Sequence, residues 1–214
     1  MFVSQREEDI TVSSVVGNGI TFTQIHDIDN VQLQGGQSVW RGMDASPTTG
    51  QITVTHTGAT LPTSCVAVRF SGVDTSGSNG SGAIGNTNTD TGPDPDDDDV
   101  LISVTIATDD MGVFSAWHRG QTLSDPPGSD DVTITINNAA GTGGSTTHCS
   151  VWQDTGSGSV QGGEVANLSA DGDHVESGIQ VKVAPAAADE RIELFNRPMR
   201  AGLDQSAAIA SLGL

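Results

Sequence analysis

Five histidines, His26, His56, His118, His148 and His174, are the side chains best suited to proton transfer or metal ligation. None stands at the i, i+4 spacing of a helical zinc site, and no strand pair offers an obvious third ligand. They are therefore expected at the surface or the rim. Ser157 in Gly156-Ser-Gly-Ser-Val160 lacks the strand-to-helix elbow that would activate it as a nucleophile. The glycine-rich stretch Ser76-Gly-Ser-Asn-Gly-Ser-Gly82 lacks the following lysine of a phosphate-binding loop, and is expected to be a flexible loop. No nucleophile, base and orienting group can be assembled from these motifs, so the chain is not expected to be an enzyme.

The loudest local signal is the carboxylate run Asp94-Pro-Asp-Asp-Asp-Asp99, with Asp109-Asp110 and Asp171-Gly-Asp173 as milder versions. A hard cation such as Ca²⁺ would relieve the mutual repulsion of such a run. The run lacks the spaced ligands and terminal glutamate of the twelve-residue calcium loop, which favours a solvated acidic loop and no cofactor. Cys65 and Cys149 are too few for a disulfide scaffold or a CxxC metal site, and are read as two reduced thiols.

Charge narrows the partners. Eight Lys and Arg against 27 Asp and Glu leave a net charge of -19, so a polyphosphate would be repelled and nucleic acid is excluded as a direct partner. No run approaches the 18 apolar residues of a membrane span, so no membrane partner is expected. Met1 to Asp9 has neither the basic n-region nor the apolar h-region of a secretory signal, which implies synthesis in a cytosol.

The elements that must position these residues are strands. Lys182 is the single lysine and Glu is scarce, whereas 22 Ser, 23 Thr and 27 Gly alternate with Val and Ile, a composition that starves helix. Period-two alternation recurs at Ile10–Val15, Ile20–Thr23, Val31–Leu33, Ser38–Trp40, Gln51–Thr55, Cys65–Phe70, Val100–Ile106, Gly112–Trp117, Val132–Ile136, Cys149–Trp152 and Ile179–Val183. The pattern predicts an all-β fold, a single antiparallel β-sandwich of jelly-roll or immunoglobulin-like type over residues 10–184. Residues 1–9 and 185–214 are left as arms, the second partly helical over Ala186–Phe195. A weak duplication pairs Ser38-Val-Trp-Arg, Ile52–Thr55 and Cys65–Val68 with Ser115-Ala-Trp-His-Arg, Val132–Thr135 and Cys149–Trp152, which suggests two facing halves of one sandwich or a chance match of Thr-rich strands.

The order of these motifs, with Phe70-Ser-Gly-Val-Asp-Thr-Ser76 the most specific, resembles a β-sandwich module of tailed-phage virion proteins and some bacterial surface proteins. The resemblance spans residues 10–184 and implies an architectural or adhesive role with no catalytic residue. Phage structural proteins are made in the cytosol and leave by lysis, and an acidic surface belongs away from packaged DNA. The expected function is therefore capsid decoration on the outer face of a virion, with the major capsid protein or other virion subunits as partners. The alternative is a tail or fibre adhesin that binds a host glycan through Trp40, Trp117 or Trp152. Apolar residues outside the sandwich pattern, Phe2, Ile192, Leu194, Phe195, Leu203, Ile209, Leu212 and Leu214, are the expected subunit and capsid contacts of a homo-oligomer, most simply a trimer.

Overall fold

A computed structural model describes residues 1–6, 11–30, 35–46, 48–58, 63–91, 99–119, 123–124, 132–138, 145–153, 159–168 and 174–184. The chain divides into Met1–Ala184 and Pro185–Leu214, and every described residue lies in the first unit. The strands are β1 (Phe2–Arg6), β2 (Val12–Gly17), β3 (Ile20–Thr21), β4 (Thr23–Asn30), β5 (Gly35–Arg41), β6 (Ile52–His56), β7 (Thr63–Val66), β8 (Ile84–Asp90), β9 (Asp99–Ile106), β10 (Met111–Arg119), β11 (Leu123–Ser124), β12 (Val132–Asn138), β13 (Ser145–Gln153), β14 (Ser159–Leu168) and β15 (Val175–Val181). The fold is all-β, and its paired strands run antiparallel.

Four sheets result, in the orders β4-β5-β1-β7, β12-β13-β10-β15-β8, β11-β14-β9 and β3-β2-β6. Alternation of side chains along a strand stacks them. Phe2, Val39 and Val66 on one face of the four-stranded sheet pack against Val113, Ile179 and Val181 of the five-stranded sheet. Their neighbours Val3, Trp40 and Cys65 point the other way, onto Val12, Val15, Ile52 and Val54 of the β3-β2-β6 sheet. In β2 the inward residues Val12 and Val15 are three apart, because the register against β6 shifts between Val12 and Ser14.

The opposite face of the five-stranded sheet is covered by β9. Glycines make that approach close: a Cβ at Gly178 would lie 3.2 Å from the Phe114 ring and 3.5 Å from Val104, and one at Gly112 would lie 2.4 Å from Ile106 Cδ1. The fully buried Phe114 ring occupies the space these two residues leave. Burial of a side chain of this size is worth about 1.5–3 kcal/mol. As a consequence β5, β10 and β15 are buried on both faces, unlike the half-solvated strands of an open sandwich.

The all-β antiparallel fold expected from the pattern is seen, with the described strands falling into four sheets. Two finer expectations change. Residues 2–6 are not an arm, because β1 is an internal strand between β5 and β7 with Phe2 opposite both Val39 and Val66. The duplicated motifs do not occupy equivalent places either: β6 leaves the sheet of β5 for a separate layer, whereas β12 stays in the sheet of β10. The two halves nonetheless share one core through Phe2, Val39, Val113 and Ile179.

Candidate functional site

Two features of the described residues have the character of a site: a polar seam between the two large sheets, and a cavity at the end of the same interface. The seam begins on β1, β5 and β10, where Ser4, Gln37 and Ser115 face one another with no exposure. Gln37 Nε2 donates to Ser4 Oγ at 3.1 Å and to Ser115 Oγ at 2.9 Å. Its Oε1 is buried without a partner. Next along the interface, His26 Nε2 on β4 lies 2.6 Å from Ser177 Oγ on β15. Burial lowers the His26 pKa to about 4, so the imidazole is neutral at physiological pH.

A serine beside a neutral histidine is the pairing from which nucleophilic sites are built. Here Ser177 is fully buried and His26 half-buried, near a cluster of Ile28, Trp117 and Val175. Its geometry is that of a strut between layers. A second buried pair joins His174 and Glu176, which share one face of the chain at i, i+2. His118 is 5% exposed. His118, His174 and the half-buried His26 are therefore interior residues rather than the surface histidines expected from spacing. The His174 and Glu176 spacing was readable as a strand-face pair, but nothing local announces a contact between His26 and Ser177.

The cavity has a volume of about 390 Å³ and opens where β1, β5, β10 and β15 end. Phe2, Phe22, Ile25, Phe70 and Val113 contribute its apolar wall, and Arg41, Asp44 and Arg69 are charged residues of its lining. Arg41 lies two residues beyond Val39 on the same face of β5, and its Nε is buried without a hydrogen-bond partner. The glycine-rich stretch forms one side through Asn79 and Gly80. It is a latched turn rather than a free loop: Asn79 Nδ2 donates to Thr21 O at 2.8 Å and Thr23 Oγ1 at 2.9 Å, and Asn79 Oδ1 accepts from Met43 N at 3.0 Å.

The segment Phe70–Ser76 ties the first half of the chain to its last described strand. Val73 bridges Val183, Asp74 N donates to Lys182 O at 3.0 Å, and Ala184 N donates to Gly72 O at 2.8 Å. Hydrogen bonds from Ser76 and the nearby Lys182 charge hold the Asp74 carboxyl below its ordinary range.

Of the expected contact residues, Phe2 is 2% exposed in the core and offers no surface to a partner. Ile192, Leu194, Phe195, Leu203, Ile209, Leu212 and Leu214 lie outside the described residues, as does most of the acidic run, residues 94–98. Among the described residues no group of three or more His, Cys, Asp or Glu side chains is placed to hold a metal ion, and no helix is long and apolar enough to cross a membrane. Cys65 is a free thiol whose pKa is raised by burial.

The fold and site thus define an antiparallel stack of β-sheets with a polar seam and a largely apolar cavity at one end. No family model, curated protein or solved structure matches the chain.

Proposed function

We propose that the chain is a non-enzymatic structural protein of a tailed-phage virion, seated on the outer surface of the capsid as a decoration subunit. The observation that carries this reading is where the described fold closes. Val183 pairs with Val73 and Ala184 donates to Gly72 O, which ties the last described residues into the sheet stack. Ile192, Leu194, Phe195, Leu203, Ile209, Leu212 and Leu214 then follow in the sequence. Large apolar side chains that are not taken up in a core are suited to contacts with neighbouring subunits or with a shell. The net charge of -19 favours a position away from packaged DNA. Symmetric association, as in a trimer, would multiply such contacts by avidity.

The glycan-adhesin alternative loses two of its three aromatic platforms. Trp117 is fully buried, and Trp40 is 6% exposed with its Nε1 donating to Ser38 Oγ at 2.8 Å. Neither presents a ring face to a sugar.

The test is occupancy on purified shells. Full-length protein should decorate them at saturable sites visible by electron microscopy, and a chain lacking residues 199–214 should fold yet fail to bind. Equal binding by the truncated chain would move the anchor to a face of the sheet stack, and absence of full-length protein from shells would overturn the reading.

A further inference from the structure

The edges of the sheets are closed in different ways, and β6 stands apart from the others independently of residues 192–214 and of the capsid reading. An edge strand offers unpaired N–H and C=O groups to a second strand, which folds suppress with charges, register shifts, short strands or a covering element. β4 carries Asp27 and Asp29 and a register shift between Gln24 and His26. The β8–β15 ladder shifts between Ile179 and Val181, and the Asn86 and Asn88 amides of β8 donate to Thr105 O and Ser103 O of β9 at 2.9 Å each, so these two edges engage each other. β7 has four residues and lies against β12 and β13.

Among the described residues β6 has none of these protections. It pairs with β2, and no described strand pairs with its far side. The register shift of that ladder falls on β2, where Ser13 is the extra residue, so β6 itself stays regular. Val15 O accepts from Phe22 N on the β3 side, so Ser14 and Val16 face β6, opposite Thr55 and Thr53. By alternation the N–H and C=O groups of Ile52, Val54 and His56 point to the open side. Charge singles out the same strand. Residues 10–26 and 45–68 contain no Asp, Glu, Lys or Arg, and they supply all of β2, β3 and β6 in a chain of net charge -19. Burial lowers the pKa of His56 and keeps its ring neutral at physiological pH. Two copies of so acidic a chain repel, and a contact through an uncharged layer adds least to that repulsion.

We propose that β6 pairs antiparallel with β6 of a second copy across a two-fold axis at Val54, joining two three-stranded sheets into one of six strands. Each Val54 N–H donates to the partner's Val54 carbonyl, and Ile52 exchanges the same pair of bonds with the partner's His56. Thr53 and the partner's Thr55 then stand opposite each other on the exposed face, in the closely spaced position without backbone bonds. Such a contact is self-complementary and closes at two copies. Five residues a side make a short ladder, so the association is reversible and concentration-dependent.

The experiment follows the full chain by sedimentation over a concentration series at low and high salt, with amide hydrogen exchange read in parallel by NMR. The Val54 amide should exchange at least about ten-fold more slowly in the associated chain than in the monomer, whereas that of Thr55, which faces β2, should not change. Salt should strengthen the association, because it screens the repulsion of two acidic bodies and no ion pair holds the contact. Register is read by mixing Thr53→Cys and Thr55→Cys chains under mild oxidation. The mixture should cross-link at least about ten-fold faster than either variant alone, since only the mixed pair sets two thiols opposite each other. A chain that stays monomeric throughout the series, a Val54 amide equally fast in both states or already slow in the monomer, association weakened by salt, or equal cross-linking rates would each overturn the proposal. The exchange and salt readouts use the unaltered chain and so decide the matter even where a cysteine variant does not fold.

Discussion

His26 Nε2 and Ser177 Oγ, 151 residues apart in sequence, meet at 2.6 Å across the interface of the two central sheets. The contact places a titratable ring inside a core otherwise dominated by Val, Ile and aromatic side chains. Burial is the cause of its displaced titration. Burial therefore holds its folded-state pKa at about 4, below the unfolded value of 6.5.

The sign of the resulting pH dependence follows. A depressed histidine pKa means that the unfolded chain binds the proton more readily, so its contribution is fully present above pH 6.5 and declines as the pH falls towards 4. Allowing for solvent at its half-buried edge, the loss is about 2 kcal/mol. Asp27 and Asp29 on the same strand are raised by burial, and Asp27 also by repulsion from Asp29, so they act with the opposite sign. Both carboxylates are retained in His26→Gln, and the difference between the two proteins isolates the histidine. Urea unfolding should show the unaltered chain losing stability relative to His26→Gln between pH 6.5 and 4, and a flat difference above pH 7.

Gln37 is the second strut of the seam, and its two donated bonds differ from its unpaired Oε1 in their consequences. Gln37→Ala removes both bonds to the serines and leaves a cavity, a combined cost of about 2–4 kcal/mol. Gln37→Met fills the volume and removes the orphan oxygen, and should cost about half as much. Chemical denaturation midpoints check the order, and a loss with Met equal to that with Ala would mean that packing is irrelevant at this position.

Much of the strand content is legible in the sequence because period-two alternation survives wherever one face is apolar, as in Val100–Ile106 and Ile52–Val54. The misses share a physical cause. β8 is an edge strand whose residues from Asn86 onward are exposed, so it carries no apolar face to read. The first half of β15, Val175–Gly178, is buried on both faces and includes Glu176 and Ser177, so it looks like loop rather than core, whereas its second half falls in the alternation at Ile179–Val183. β1 was hidden by the charged residues after it and by its position at the start of the chain. The seam and the cavity depend on sheet stacking, a relation between distant segments that no local pattern encodes. Arg41 was visible only as the residue after a tryptophan.

Layering of the β11-β14-β9 sheet on the five-stranded sheet makes a prediction of coupling. A Cβ at Gly112 would lie 2.4 Å from Ile106 Cδ1 and 2.6 Å from Phe114 Cε2. Gly112→Ala therefore overpacks a fully buried site and should cost about 1–3 kcal/mol. Ile106→Val removes the nearest clashing atom and alone should cost about 0.5–1.5 kcal/mol. Together they should cost less than the sum of the two, by at least about 0.5 kcal/mol, because the residues touch. Strict additivity in thermal unfolding would mean that the layers do not meet here.

Asp110 closes the last strand from within. Its carboxylate is 7% exposed and accepts from Gln180 Nε2 at 2.6 Å and from Val183 N at 2.8 Å. Gln180 Oε1 in turn accepts from Asn86 N at 2.9 Å, so one carboxylate organises the ends of β15 and β8. Removing it in Asp110→Ala orphans two buried donors, and bonds to a charged acceptor are each worth about 1.5–3 kcal/mol, so a global loss of about 3 kcal/mol is expected. The local effect is the sharper test. Val183 also pairs with Val73 at the point where the chain passes towards Pro185, and Asp74 N and Lys182 N are bonded across the same junction to Lys182 O and Ala83 O. Hydrogen exchange of the Val183 amide should accelerate by more than the global loss predicts, whereas that of Phe114 at the centre of β10 should follow global stability. Equal acceleration at both amides would make Asp110 an ordinary core contributor, and the closure of the stack at Ala184 would then rest on the backbone bridge between Val73 and Val183.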